Sequence, residues 1–369
     1  MSMSALASRL YHWERWAWLA ALVGLLLVGV AFWVSGTDTF KSYWFAWVFW
    51  TGLGLGGLSM LMLHRLTPGR WNHFTRMPAE AATHTLPWMA LLLLPVAFGM
   101  ETIFPWPRPG YFDGLEMPHK AAFYQVSAFW WRNICYMLIF VLLARRMRRG
   151  HGRRGGAIGV ILFGIILLFA STDWIMSLDP KWYSSMFVVI ALVSQFLSAL
   201  AFFILLIGLF ARSEGYRAEL SPQHLHDLGN MLLAFVTFWM YVTFSQFMLI
   251  WSADLPHEIV WYEHRGHGGW QWVAAAIVLV QFAIPFALLL SRARKRHHRR
   301  LWPIAAIVWV AGILYIYWLI RPNYHPEGLS ISWLDPLLFL AIGAFWIALF
   351  LNQLRKEPLM LTRTKPAHA

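Results

Sequence analysis

The chain has 369 residues, 59% of them hydrophobic and only 13% charged, with a formal net charge of +13. Soluble domains carry about 25% charged residues, so this balance excludes a soluble globular protein and points to an all-α polytopic membrane protein. A single cysteine, Cys135, excludes an internal disulfide framework and a four-thiolate iron–sulfur cluster; it reads as a small apolar residue.

An apolar run of about 20 residues crosses the hydrocarbon as a helix. Ten such runs follow one another, at 16–34, 43–63, 86–104, 121–143, 157–176, 185–210, 228–251, 271–290, 301–320 and 333–351. The first ends in Phe32-Trp33-Val34 rather than a small-residue cleavage site, so it is expected to be retained and not removed as a signal peptide. No loop is long enough for a soluble domain, and 1–369 reads as one membrane domain that closes with a tail at 352–369. Twenty-four Trp and 27 Phe suit the interfacial belts and lipid-facing surface of such a fold.

Ten passes put both termini on one side. Loops on that side hold 23 of the 30 Lys and Arg, including RRMRRGHGRR (145–154) and RARKRHHRR (292–300). The opposite loops hold Lys41, Arg108, Lys120, Lys181, Arg265 and Arg321, and Arg132 lies within a span. The positive-inside rule therefore expects cytoplasmic termini. The basic clusters act as topology signals with some attraction for anionic lipid, and no nucleic-acid partner is needed to explain them.

The glycine run TGLGLGG (51–57) falls in the second span, where small residues allow close helix packing. Three ionisable residues come together by depth. Asp173 lies roughly 24 Å along a core about 30 Å thick, and Glu101 roughly 22 Å, counting from expected starts at Ala157 and Leu86. His119 stands at the mouth of the fourth span. Ionisable groups at such depth start as functional hypotheses. Quinol oxidation releases two protons, and a desolvated carboxylate or imidazole suits their acceptance. Asp173, His119 and Glu101 are thus candidate proton acceptors, with Trp174 and Phe104 as walls for a quinone ring. In the alternative, the acids pair with Arg132 or cap helix ends. Arg132, placed roughly 16 Å deep, has Gln195 and Gln281 as candidate partners, and its role is structural or electrostatic. Asp179, before Pro180, reads as a solvated turn residue.

The outer loop 252–270, SADLPHEIVWYEHRGHGGW, carries His257, Glu258, Glu263, His264 and His267. Their spacing is too loose for a ligand set, so no metal is expected there, and the loop reads as a surface that docks an extracytoplasmic partner. The histidines fall in loops or at span ends, which leaves no inward pair for b-type haem.

Four segments resemble a known family: MPHKAAFYQVSAFWWRNICYMLIF (117–140), STDWIMSLDPKWYSSMF (171–187), HDLGNMLLAFVTFWMYVTFSQFMLIWSADLPHEIVWY (226–262) and QFAIPFALLLSRARKR (281–296). They are similar to the second quinol:cytochrome c oxidoreductase membrane subunit of alternative complex III, one of the NrfD/polysulfide-reductase-like membrane proteins. The resemblance implies two four-helix bundles, spans 2–5 (43–176) and 6–9 (185–320), with spans 1 and 10 outside them. It implies a bacterial inner-membrane complex that oxidises menaquinol or ubiquinol. The partners would be a sister NrfD-like subunit, an extracytoplasmic iron–sulfur subunit, c-type cytochromes and a terminal oxidase, with no haem or iron–sulfur cluster bound by this chain. His119, Arg132, Asp173 and Trp174 are the residues carried over. In that family the sister subunit is the better candidate for quinol oxidation, which leaves proton conduction or a redox-silent scaffold for this one. Span 9 here, GILYIYWLIRP (312–322), lacks the acid that family members carry. An autonomous secondary transporter is the remaining alternative, with Pro95 and Pro285 interrupting spans.

Overall fold

A computed structural model describes residues 3–113, 117–150 and 152–356; residues 357–369 of the expected tail lie outside the described residues. The described chain is helical without strands. In order, the helices are α1 (Met3–Ser35), α2 (Thr39–Leu66), α3 (Asn72–Thr83), α4 (Leu86–Leu91), α5 (Met100–Ile103), α6 (Pro118–Phe123), α7 (Val126–Arg148), α8 (Arg153–Trp174) and α9 (Phe187–Phe210). They continue with α10 (Glu214–Glu219), α11 (Pro222–Ala253), α12 (Pro256–Gly266), α13 (Trp270–Ile277), α14 (Ile284–Leu289), α15 (Arg292–Lys295), α16 (His298–Ile320) and α17 (Leu334–Lys356).

The first apolar stretch, Ser8–Leu66, is 59 residues long, well beyond the roughly 20 that one crossing needs. It reverses at Gly36–Asp38, where Gly36 takes φ +55°, a left-handed conformation that glycine adopts without a Cβ clash. Across this turn Thr39 Oγ1 donates to the Ala31 carbonyl at 3.2 Å, and the Phe32 and Phe40 rings sit 4.8 Å apart. A continuous helix would separate residues eight apart by about 12 Å. The stretch therefore supplies two antiparallel passes.

The last helix fills the space between them. Arg355 and Asn352 of α17 bind the Glu14 carboxylate at 2.7 and 2.6 Å, whereas at the other end Asp335 accepts from Ser42 at 2.6 Å. So α17 runs antiparallel to α1 and parallel to α2. Its Trp346 touches Trp50 at 5.4 Å and Phe202 at 5.8 Å, and the expected outer helix thus also seals the seam between two helix groups. In one group α2 packs on α3, α4, α7 and α8; in the other α9 packs on α11 and α16, with α13 and α14 beside them.

The seam itself depends on the glycine run. A Cβ on Gly56 would fall 2.2 Å from the Gln195 carbonyl oxygen, and one on Gly57 2.9 Å from the Ala82 Cβ. Glycines on two faces of α2 thus let α9 and α3 approach together, as the small-residue reading expects.

Two passes differ from expectation. The third apolar segment spans Asn72–Phe98, not 86–104: α3 enters fourteen residues earlier, and the chain then steps through short turns at His84–Thr85 and Leu94–Phe98. Pro87 and Pro95 start successive pieces, each lacking the N–H that a continued helix needs. The fourth pass starts at Val126 rather than 121, because Tyr124 and Gln125 leave helical geometry. Cys135, read as a buried apolar residue, is exposed on α7 alongside Trp131, Ile134 and Leu138. In the eighth pass a π-helical segment, Val278–Ala283, lies between α13 and α14. Pro285 cannot donate to Gln281 and its ring crowds that carbonyl, which favours the wider turn.

Candidate functional site

Asp173 lies in the last turn of α8 and is fully buried. Its carboxylate is held by α7. Arg132 Nε reaches Oδ2 at 2.9 Å and Nη2 reaches Oδ1 at 2.8 Å, a bidentate pair. Tyr136, one turn further along the same helix face, donates to Oδ2 at 3.0 Å. The remaining guanidinium nitrogen, Nη1, donates to the Phe123 carbonyl at 2.8 Å, and the charge lies 3.9 Å from the Phe123 ring centroid. Arg132 thus closes the C-terminus of α6 and neutralises Asp173 at once.

This arrangement corrects the position expected for Arg132. Because α7 begins at Val126, Arg132 falls in its second turn and not near mid-membrane. Its partner is Asp173; neither Gln195 nor Gln281 contacts it. The acid cluster is corrected as well. Gly99 packs against the Phe40 ring at the start of α2, and Glu101, two residues on in the short helix α5, is exposed. His119 is exposed on α6. Among the described residues, no hydrogen bond or ion pair links either one to Asp173. Glu101 is not at the depth expected from a start at Leu86, because the pass begins at Asn72.

Trp174 and Phe104 form part of a packed aromatic core rather than the walls of an open ring site. Trp174 Nε1 donates to Asn133 Oδ1 at 2.7 Å, and its own carbonyl accepts from Trp44 Nε1 at 2.9 Å. Its ring meets Trp47 edge-on at 5.1 Å. Phe104 is wedged against Trp44, Trp106 and Phe129, with centroids 5.2 to 5.6 Å apart. Trp174 does border a cavity of about 20 Å³ at the seam, with Ser194, Gln195 and Ser198; this is room for about one water.

Above the pair, the outer surface is tied together by Lys120, whose ammonium donates to the Pro180 and Lys181 carbonyls at 2.7 and 3.0 Å. Burial lowers its pKa, and nearby Asp179 opposes that shift. Asp179 is half-buried rather than a wet turn residue. It borders a recess of about 470 Å³ with Tyr111, Leu178, Lys181, His264 and Pro326. Loops from both helix groups meet there. The outer stretch 252–270 contributes through α12, a helix where a loop was expected; the side chain of His257 lies outside the described residues.

Three residues were not singled out from sequence. Arg321 and Asp335 form a second buried pair at 3.4 Å, with Ser42, Tyr317 and the Ser332 amide also donating to Asp335. The available signal was an acid in the first turn of α17, fourteen residues after a cation beside a proline. Arg265, counted as an outer-loop charge, is only 1% exposed and borders a cavity of about 460 Å³ in the second helix group. No protein-family model matches the chain, and no curated protein matches it.

Proposed function

We propose that this chain is an integral membrane subunit of a respiratory quinol:cytochrome c, or quinol:oxidase, electron-transfer complex of a bacterial inner membrane. Its own part is to seat the partners that carry electrons: an extracytoplasmic iron–sulfur subunit, c-type cytochromes and a sister membrane subunit. Quinol oxidation then falls mainly to those partners, in line with the resemblance carried by 117–140, 171–187, 226–262 and 281–296. The observation that carries the seating role is the recess where Asp179 and Lys181, from the connection between α8 and α9, share one surface with His264 of α12 and with Tyr111 and Leu178. Mixed charge and apolar area at such a depression suit a protein partner.

A scaffold role also agrees with the closed pair at Asp173. Asp173 accepts three hydrogen bonds, two of them from a guanidinium, which favours a fixed charge over a proton acceptor. A secondary transporter commonly places its substrate site between two halves of the fold, and the cavity at that seam holds about one water.

The test is purification from native membranes in mild detergent, read by haem absorbance and iron–sulfur electron paramagnetic resonance. The expected result is co-elution with haem-containing and iron–sulfur partners, lost on the double reversal Asp179→Lys/Lys181→Glu while the membrane chain remains folded. Elution of the wild-type chain without redox partners overturns the reading.

A further inference from the structure

The cavity in the second helix group is built around a buried cation that makes no ion pair among the described residues. It lies beneath α12, between α11, α13 and the end of α16. Arg265 Nη1 donates to the Trp261 carbonyl at 2.9 Å, and Nη2 donates to the Leu319 carbonyl at 2.9 Å and Asn323 Oδ1 at 3.2 Å. All three acceptors are neutral, Nε has no partner, and no carboxylate lies within ion-pair distance among the described residues. Burial lowers the Arg265 pKa to about 9, with the Asp179 charge, beyond ion-pair distance, opposing the shift, so the group stays cationic at neutral pH. The guanidinium carbon sits 3.6 Å from the Trp261 ring centroid and 5.6 Å from that of Trp318. These faces favour the cation but carry no net charge.

The rest of the cavity wall describes the other end of an occupant. Trp182, Trp239, Tyr262 and Tyr315 make it aromatic, and the indole nitrogens of Trp182, Trp239 and Trp318 lack acceptors. Phe244, Phe247 and Val278 border the same cavity and are also 40 to 50% exposed on the outside of α11 and the eighth pass. The mouth therefore opens sideways, through apolar residues of membrane-spanning segments, rather than into an aqueous loop.

We propose that this cavity binds a membrane amphiphile with an anionic oxygen head, the head on Arg265 and the apolar chain leaving between α11 and α13. A phosphate or a carboxylate supplies both the missing negative charge and acceptors for the orphan N–H groups. A neutral quinone carbonyl accepts a hydrogen bond yet leaves the buried charge uncompensated. The inference stands apart from the partner-seating role, since it concerns a separate cavity with its own lining residues.

The test uses the full chain purified from membranes with whatever partners accompany it. Organic extracts are analysed by mass spectrometry, and thermal stability is followed after delipidation and add-back of phosphatidylglycerol, oleate or phosphatidylcholine. Two variants act independently. Arg265→Gln removes the charge, and Ala275→Phe narrows the cavity while leaving the guanidinium in place. The expected result is an anionic amphiphile near one per chain in the wild type, reduced at least tenfold in both variants. Melting temperature should rise by several degrees with one anionic amphiphile and not with phosphatidylcholine, and this rise should vanish in the variants. A preference for phosphatidylglycerol identifies a phosphate head and a preference for oleate a carboxylate, and either supports the assignment. A stoichiometric neutral quinone in the extract, equal response to all three lipids, or undiminished binding in a folded Ala275→Phe protein overturns it.

Discussion

Arg132 and Arg265 place the same guanidinium inside the protein, with opposite solutions. Arg132 is matched within the chain: Asp173 takes two of its nitrogens, and the Phe123 carbonyl takes the third. Arg265 is more deeply buried, yet finds only neutral oxygens and two indole faces. The first site is electrically closed and packed solid, and the second is open and stands beside a cavity of about 460 Å³. The difference teaches where chemistry outside the chain is required. A buried charge with its own counter-ion is structural in effect, whereas one without a counter-ion makes the fold depend on something it binds.

The largest expected effect breaks the closed site. Asp173→Asn leaves Arg132 without a counter-charge and should cost about 3–5 kcal/mol of stability, read as detergent-phase unfolding. The paired replacement Arg132→Met/Asp173→Leu should restore most of that loss, because removing both charges is often neutral. Failure of the double variant to recover would mean that Arg132 acts mainly through Phe123. Next, Tyr136→Phe removes one hydrogen bond to the carboxylate and should cost about 1.5–3 kcal/mol, measured in the same unfolding assay.

A smaller change sharpens the open site. In delipidated protein, Arg265→Met should cost only about 1 kcal/mol, since it loses hydrogen bonds to neutral acceptors but orphans no opposite charge. A loss as large as that of Asp173→Asn would erase the contrast. The smallest effect belongs to the residues left outside both sites. Glu101→Gln and His119→Gln should each stay within about 0.5 kcal/mol of wild type, and neither should alter quinol:cytochrome c turnover if the chain belongs to the proposed complex. A turnover defect in a normally assembled His119→Gln complex would return that residue to the catalytic machinery.

Much of this architecture was legible in the sequence, for physical reasons that also explain the misses. Apolar runs mark most passes because hydrocarbon demands them, and the glycines of 51–57 marked a close approach that Gly56 now makes to Gln195. Asp173 and Arg132 were both identifiable as costly residues within spans. Their pairing was one of the two readings the residues left open, and it is the one the fold adopts. The depth of Arg132 was not legible, because the break at Tyr124–Gln125 shifts it along its pass and no apolar pattern records that break. Glu101 was misplaced because His73, Arg76 and Glu80 lie on the open side of α3, where they disguise the start of the pass among residues that look like a loop. Arg265 carried no signal beyond being a cation in a polar stretch. Only the folding of α12 back over the helix ends converts it into a buried charge.

The position of α17 bears on how the molecule reaches its final form. It is the last helix of the described chain, yet it joins the Glu14 carboxylate, Ser42 and Trp50, all of which leave the ribosome far earlier. Until it arrives, the groove between α1 and α2 exposes an unpaired acid and a row of aromatic rings to lipid. The first two helices must therefore wait, inserted but not locked, through the synthesis of nearly three hundred further residues. Contacts of such long separation are formed late, and an incomplete chain would present quality control with a polar seam in place of a closed surface.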